Sequence, residues 1–288
     1  MSDGASQLAL DPVPPTMSRR HAAGSESARG LLFTVLGEFV LPHGGTAWTS
    51  ALIDVLGRLE IEEKAARQAL MRTAADGWLS AERIGRRTRW RLTDNAERLL
   101  TEGAERIYGF TGTAPRWDGR WLLVMARVPE TDRPARHLLR TRLAWAGFGS
   151  PAPGLWISTH TDRVDEVERV LEAAGVLADA RIFRAEHVGG GESATMVGQA
   201  WDLAAIEQSY RDFLDEFESP NSADPLTRQI DLVHSWRRFP WIDPALPREL
   251  LPARWSGRKA GQLFARRHAR WSTEATARWL GLNNLNLG

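Results

Sequence analysis

The 288-residue chain contains no cysteine. That excludes disulfides, cysteine-ligated zinc, iron–sulfur clusters and thiol nucleophiles, and it suits a cytoplasmic protein. Lysine is nearly absent as well: Lys64 and Lys259 are the two lysines among 37 basic residues. The positive charge is therefore arginine, which suits bidentate contacts to phosphate or to a guanine edge; a GC-rich genome produces the same bias. No apolar run approaches the roughly 20 residues of a membrane-crossing helix. Residues 1–26 lack the apolar core of a signal peptide, so no membrane partner is expected. The chain has no Walker A motif, no G-x-S-x-G and no dinucleotide fingerprint. Its histidines (His21, His43, His137, His160, His187, His234 and His268) show no ligand spacing such as H-E-x-x-H. No catalytic residue, metal or cofactor is therefore expected, and the chain reads as a non-enzyme. The net charge of +1 requires that any nucleic-acid surface be built by local concentration of arginine.

Hydrophobic residues make up 43% of the chain and charged residues 25%, a balance that folds. Residues 1–27 are rich in Ser, Gly, Pro and Ala and read as a disordered arm, with Met17 as an alternative start. Apolar residues from Leu31 to Val40 recur at helical spacing, and Pro42-His43-Gly44-Gly45 ends that helix. A second helix is expected from about Thr49 to Leu59 and a third from about Glu62 to Asp76. Gly77 stops the third, with Trp78 beneath it. LSAERI and TRWRL flank Gly85-Arg86-Arg87 and predict a β-hairpin. Asp94 with Glu97 reads as the capping pair of a fourth helix running to Tyr108. Three helices followed by a hairpin is the order of a winged helix-turn-helix, which assigns residues 28–110 to a DNA-binding domain.

The middle of the chain alternates differently. Strands are expected at Trp121–Val128, Gly154–Thr159 and Arg181–Val188, with a fourth, short one near Phe148–Pro151. Helices are expected at Pro134–Gly147 and Arg163–Ala174. This is a ferredoxin-like pattern over residues 115–190. Gly189-Gly190-Gly191 reads as a hinge. Residues 195–288 form a helical domain with helices at Trp201–Phe217, Leu226–Phe239 and Arg258–Leu280. The proline-rich stretch FPWIDPALPRELLPARW interrupts the last two. The fold class is α+β.

At about 100° per residue, Ala66, Ala69, Leu70 and Thr73 of the third helix share a face that packs inward. Lys64, Gln68 and Met71 point the other way, with Arg67 and Arg72 on the flanks. In a major groove the outward residues meet base edges and the flanking cations meet phosphates. Gln68 suits an adenine edge and Met71 a thymine methyl group. Arg83, Arg86, Arg87, Arg89 and Arg91 then crowd the hairpin, with Glu82 as the adjacent acid. Five guanidiniums within nine residues repel one another unless an anion such as a phosphate backbone is near. Gly85 permits the tight turn.

The stretches LGEFVLPHGG (36–45), DGWLSAERIGRRTRWRLTD (76–94), RIYG (106–109), WDGRWLLV (117–124), LAWAGFGSPAPGLW (143–156) and DPALPRELLPARWSG (243–257) resemble the PaaX family of bacterial regulators, named for the repressor of phenylacetate degradation. The resemblance runs from about residue 28 to 270. It implies a winged helix, a central Cas2-like ferredoxin fold and a helical C-terminal domain. It also implies a dimeric repressor of double-stranded operator DNA, released by an aryl-CoA thioester such as phenylacetyl-CoA, with DNA contact on the third helix and on Arg86 and Arg87. The third helix, AARQALMRTAADGW, is less β-branched and hydrophobic than in typical members.

Two other readings are weighed against this one. Cas2-like folds include metal-dependent nucleases that place an acid at the end of the first strand. Here that strand ends Ala126-Arg127-Val128-Pro129, with Glu130 and Asp132 in the loop beyond, and a cation in place of a carboxylate disfavours a divalent metal. The third reading is a DNA-binding regulator with no effector. The C-terminal mix of Trp236, Arg237, Arg238, Trp241, Trp255 and Arg258 suits an acyl-CoA, rings against the acyl group and arginines against phosphates. The same residues suit a buried core with solvated cations. A homodimer is expected, because two half-sites multiply specificity; its contact surfaces are the central strand edges or the C-terminal helices.

Overall fold

A computed structural model of the chain describes residues 28–112, 117–219 and 224–284. The arm expected over residues 1–27 lies outside the described residues.

Helix α1 spans Ala28–Val35 and continues as a π-helical turn, Leu36–Val40, and a 3-10 turn, Leu41–His43. The sequence predicts one regular helix here. The wider turn carries Glu38, whose side chain is almost wholly buried and bonds to three residues from elsewhere in the chain. Gly44, at φ 88°, ends the segment in the left-handed region. Strand β1 (Thr46–Trp48) follows, then α2 (Thr49–Arg58) and α3 (Glu63–Ala75). A strand of three residues is too short for alternation to reveal, and it was not expected from the sequence. The hairpin is β2 (Leu79–Ile84) and β3 (Arg87–Leu92), and β3 lies between β1 and β2. Helix α4 is Asp94–Gly109. Its cap is Thr93, whose Oγ1 accepts from Ala96 N at 3.2 Å, so Asp94 is the first helical residue and not the cap.

The central region is β4 (Arg120–Met125), α5 (Arg133–Trp145), β5 (Gly149–Ala152), β6 (Leu155–Ser158), α6 (Val164–Ala173) and β7 (Arg181–Glu186). The strands run antiparallel in the order β5-β6-β4-β7, with the first strand central. That is the order of a ferredoxin-like sheet, and the short strand expected near Phe148–Pro151 is β5. Leu122, Val124, Leu139, Leu143, Val167 and Leu171 fill the space between the sheet and α5 and α6.

The C-terminal part is helical. Helix α7 (Ser193–Ala200) precedes α8 (Leu203–Glu218), α9 (Pro225–Trp236), the short α10 (Phe239–Ile242) and the long α11 (Gly257–Asn284). The sequence predicts a helix starting at Trp201. Instead Trp201 lies between α7 and α8, and Asp202 caps α8 by accepting from Ala205 N at 3.0 Å.

The N-terminal core is not closed by N-terminal residues alone. Leu31, Val35, Phe39, Leu52, Val55 and Leu56 share a buried cluster with Leu226 and Ile230 of α9 and with Ala275 and Trp279 of α11. Asn283, at the end of α11, accepts from Trp48 N at 3.0 Å and donates to Thr46 O at 3.3 Å, tying β1 to the C-terminal helix. No helix among the described residues is long and apolar enough to cross a membrane.

Candidate nucleic-acid interface and the three-domain cleft

Helix α3 buries Ala66, Ala69, Leu70 and Thr73. Thr73 Oγ1 donates back to Ala69 O at 2.8 Å, so its hydroxyl is satisfied inside the core. Lys64, Arg67, Gln68, Met71 and Arg72 are all exposed, and Met71 presents 62% of its surface. An apolar side chain that open on a cationic helix face is the kind of exposed feature that asks for a partner. Arg67 is held by Glu63 one turn earlier, with Nε to Oε1 at 2.8 Å. The end of α3 is pinned to the hairpin. Trp78 N donates to Thr73 O at 3.1 Å, Thr93 Oγ1 donates to Gly77 O at 2.8 Å, and the Trp78 ring meets Phe33 edge-on at 4.6 Å.

The hairpin sorts its residues by pleat. Trp90 and Leu92 of β3 are buried, and Trp90 Nε1 donates to Thr49 Oγ1 at 2.9 Å. Arg87, Arg89 and Arg91 occupy the alternate positions, facing Ile84, Glu82 and Ser80 across the ladder. Arg83 lies opposite Thr88 and so falls on the other face. Gly85, at φ 61°, makes the turn. The five wing cations are not equivalent. Arg89 donates through Nη2 and Nε to one oxygen of Glu82, Oε2, at 2.8 and 3.1 Å and lies near the Trp48 ring, with 27% of its side chain exposed. Arg86 and Arg91 are exposed, and their side chains make no ion pair or hydrogen bond among the described residues. The sequence counts charges and does not reveal this internal neutralisation.

The structure does not assemble Trp236, Arg237, Arg238, Trp241, Trp255 and Arg258 into one pocket. Trp236 has no exposed surface and stacks on Phe264 at 4.8 Å. Trp255 packs edge-on against Tyr210. Arg237 donates to Thr34 on α1 at 3.2 Å, and Arg238 lies over Phe239. Arg258 is exposed in the first turn of α11. In the region suited to a Cas2-like metal site, Glu130 is exposed and Asp132 caps α5 through Ala135 N at 3.0 Å.

Trp241 packs behind Trp145 and Arg106, two residues that line a cleft the sequence did not reveal. The cleft has a volume of about 320 Å³ and draws walls from α4, from the ferredoxin-like region and from the segment after α10. Arg106 in the last turn of α4 donates through Nη2 to Trp145 O at 2.5 Å and to Pro240 O at 3.1 Å, and its guanidinium lies 3.9 Å over the Trp241 ring. Helix α5 can offer the Trp145 carbonyl because the helix stops there and Gly147 turns the chain away. Gly147 N bonds to Ala144 O and Phe148 N to Leu143 O, at φ 78° for the glycine. A Cβ on Gly147 would sit 3.1 Å from the His160 ring, so the same glycine lets His160 approach. His160 Nε2 then donates to Pro244 O at 2.9 Å. Burial, and after it the nearby Arg163, lowers the His160 pKa. Burial and Arg163 likewise pull Arg106 down to about 10. Asp243, deep in the wall, accepts from Tyr210 Oη at 2.6 Å and from Ala245 N at 2.7 Å, while burial pushes its carboxyl up. Ala245 stands at φ 52°, a left-handed conformation uncommon for a residue with a Cβ.

Three family models match in succession: PaaX-like protein over residues 27–96, the PaaX protein central Cas2-like domain over 114–197, and the PaaX-like protein C-terminal domain over 201–280. The transcriptional repressor PaaX of Escherichia coli (strain K12) is 32% identical over 274 residues, covering 90% of this chain and 85% of that protein. Among solved structures, the uncharacterized protein Rv0674 from Mycobacterium tuberculosis superposes with a TM-score of 0.59 at 25% identity, covering 90% of this chain and 99% of that one. With its helices and hairpin at one end, its ferredoxin-like centre and its helical C-terminal part, the chain belongs to the PaaX family.

Proposed function

We propose that this chain is a DNA-binding transcriptional repressor that reads duplex DNA with α3 and holds the phosphate backbone with its wing. One observation carries the reading: an exposed α3 face of Lys64, Arg67, Gln68, Met71 and Arg72 is pinned to a hairpin whose Arg86 and Arg91 guanidiniums lack protein partners among the described residues. A helix of this kind fits the major groove, with Gln68 toward an adenine edge and Met71 toward a thymine methyl. Arg67, Arg72, Arg83, Arg86, Arg87 and Arg91 take phosphates, and Arg89 positions the wing through Glu82. The named repressor among its relatives supports the direction of regulation. The test is affinity for the DNA upstream of the protein's own gene. Changing Arg86 and Arg87 together to Ala should weaken binding at physiological salt. It should also flatten the slope of log affinity against log salt by roughly 2, one counterion per lost contact. Unchanged affinity and slope refute the reading.

The repressor acts as a dimer, in the cytoplasm, and an acyl-CoA or aryl-CoA thioester such as phenylacetyl-CoA releases it. Support for a second copy comes from β7, an edge strand paired with β4 alone, beside exposed Met125 (51%) and Phe183 (48%). A monomer mass by light scattering at micromolar protein counts against the dimer. For the effector, thermal shift against aryl- and acyl-CoA thioesters is direct. No stabilisation by any of them favours a regulator without an effector.

A further inference from the structure

Three of the six stretches that carry the family resemblance meet at one place. Arg106 and Gly109 come from RIYG, Trp145 and Gly147 from LAWAGFGSPAPGLW, and Asp243, Pro244 and Ala245 from DPALPRELLPARWSG. They line the cleft at the junction of the three parts of the chain. We propose that this cleft is a phosphate-binding site for a CoA-type ligand, with Arg163 and Arg106 as the phosphate-holding residues. The proposal rests on the repressor reading and locates its effector site.

The chemistry follows from charge and shape. Arg163 lies at the N-terminal end of α6, half-buried in the cleft wall, and makes no side-chain hydrogen bond or ion pair among the described residues. Arg106 is close enough to feel its charge and is already committed on one nitrogen to two carbonyls, which leaves its remaining N–H groups for a ligand. Two neighbouring guanidiniums in a half-enclosed cleft repel each other, and a doubly charged oxyanion relieves that repulsion while taking forked hydrogen bonds. His160 spends its Nε2–H on Pro244, and burial and then Arg163 lower its pKa. The acids nearby are not paired with the two guanidiniums. Asp243 turns to Tyr210 and Ala245 N, and Glu105 and Asp162 are exposed. Glu166, half-buried one turn along α6, offsets part of the positive charge felt by Arg106 and His160 but makes no ion pair with either arginine among the described residues. A volume of about 320 Å³ holds a pyrophosphate and part of what it carries, not a whole CoA, so the remainder of the ligand extends out of the cleft.

The location gives binding a consequence. Arg106 belongs to α4, the helix that leads out of the wing, while Arg163 belongs to the ferredoxin-like part and Pro240 to the C-terminal part. A phosphate shared by Arg106 and Arg163 fixes how α4 sits against the other two, and so biases the DNA-reading module.

Isothermal titration of the full chain without DNA separates this from the DNA reading. The probes are phenylacetyl-CoA, free CoA and phenylacetate, against wild type, Arg163→Gln, Arg163→Lys and Arg258→Gln. Expected are binding of both CoA probes and none of phenylacetate, and a loss of at least tenfold in affinity for Arg163→Gln with its unliganded melting temperature unchanged. Arg163→Lys should recover most of the loss, and Arg258→Gln should bind as wild type. Operator binding by Arg163→Gln should equal that of wild type but no longer respond to the ligand. Equal affinity of Arg163→Gln and wild type overturns the proposal, as does failure of both CoA probes to bind. Binding of phenylacetate as tight as that of its CoA thioester also overturns it. None of these outcomes touches the wing-arginine test.

Discussion

His234 sits where α9 meets α1, and its titration should set the acid stability of the chain. Its Nδ1 lies 2.9 Å from Thr34 Oγ1, and burial pulls its pKa down to about 3, helped by the positive charges of Arg237 and Arg238. In the unfolded chain the same imidazole titrates near 6.5. The native pKa is the lower of the two, so below pH 6.5 the unfolded state binds a proton that the native state refuses. Stability from this group is complete above about pH 6.5 and is lost as pH falls toward 3. At roughly 1.4 kcal/mol per pH unit, the loss between pH 7.5 and pH 5 is about 2 kcal/mol. His234→Gln keeps an amide near Thr34 and removes the titration. Urea unfolding of both proteins at pH 7.5 and pH 5.0 reads the effect. Wild type should lose about 2 kcal/mol more than the variant on acidification, or about 3 °C in melting temperature for a chain of this size. His160, shifted in the same direction, titrates in both proteins and cancels in the comparison. Equal losses in the two proteins would refute a buried neutral His234.

Other outcomes follow from particular contacts. Trp279 is fully buried among N-terminal residues, and Trp279→Ala should cost about 3–5 kcal/mol by chemical denaturation while preserving one cooperative transition. Two separated transitions would show that the shared core does not couple the two ends. Gln68→Ala should shift base preference at one operator position by about 1–3 kcal/mol in competition binding and leave the salt slope alone. Glu82→Gln frees Arg89 from its acidic partner, so affinity for non-operator duplex should rise and the salt dependence steepen.

What the sequence made legible was local. The α3 face and the hairpin both come from side-chain spacing within a dozen residues, and the ferredoxin-like order comes from strands and helices of ordinary length. The π-helical turn at Glu38 was not legible, because nothing in LGEFV distinguishes it from an α-turn. Its partners, Gln229 and His268, are about 190 and 230 residues away. Burial at the C-terminal tryptophans was not legible for a related reason. A tryptophan beside arginines reads alike whether its ring is core or open, and only the packing of α8, α9 and α11 decides that Trp236 is covered. Arg106 carried no signal of its own, because its two carbonyl partners lie 39 and 134 residues along the chain. The chain has two tyrosines, and each donates to a buried carboxylate, Tyr108 to Glu38 and Tyr210 to Asp243.

Those two pairs show which joint in the molecule can move. Glu38 takes bonds from Tyr108 on α4, Gln229 on α9 and His268 on α11, inside a region where the N-terminal helices also share apolar core with α9 and α11. Pulling the DNA-reading module from the C-terminal helices would expose that core and strand a buried carboxylate, a cost of several kcal/mol. A small ligand cannot supply that much differential binding energy easily. The cleft side of α4 is held differently, by Arg106 to two carbonyls and by His160 to Pro244, contacts that are individually worth about a kcal/mol and can re-form after a small shift. An effector that altered DNA affinity would therefore act by shifting α4 and the C-terminal helices together against the ferredoxin-like part, with Arg106 at the pivot, and not by swinging the winged helix on a free linker.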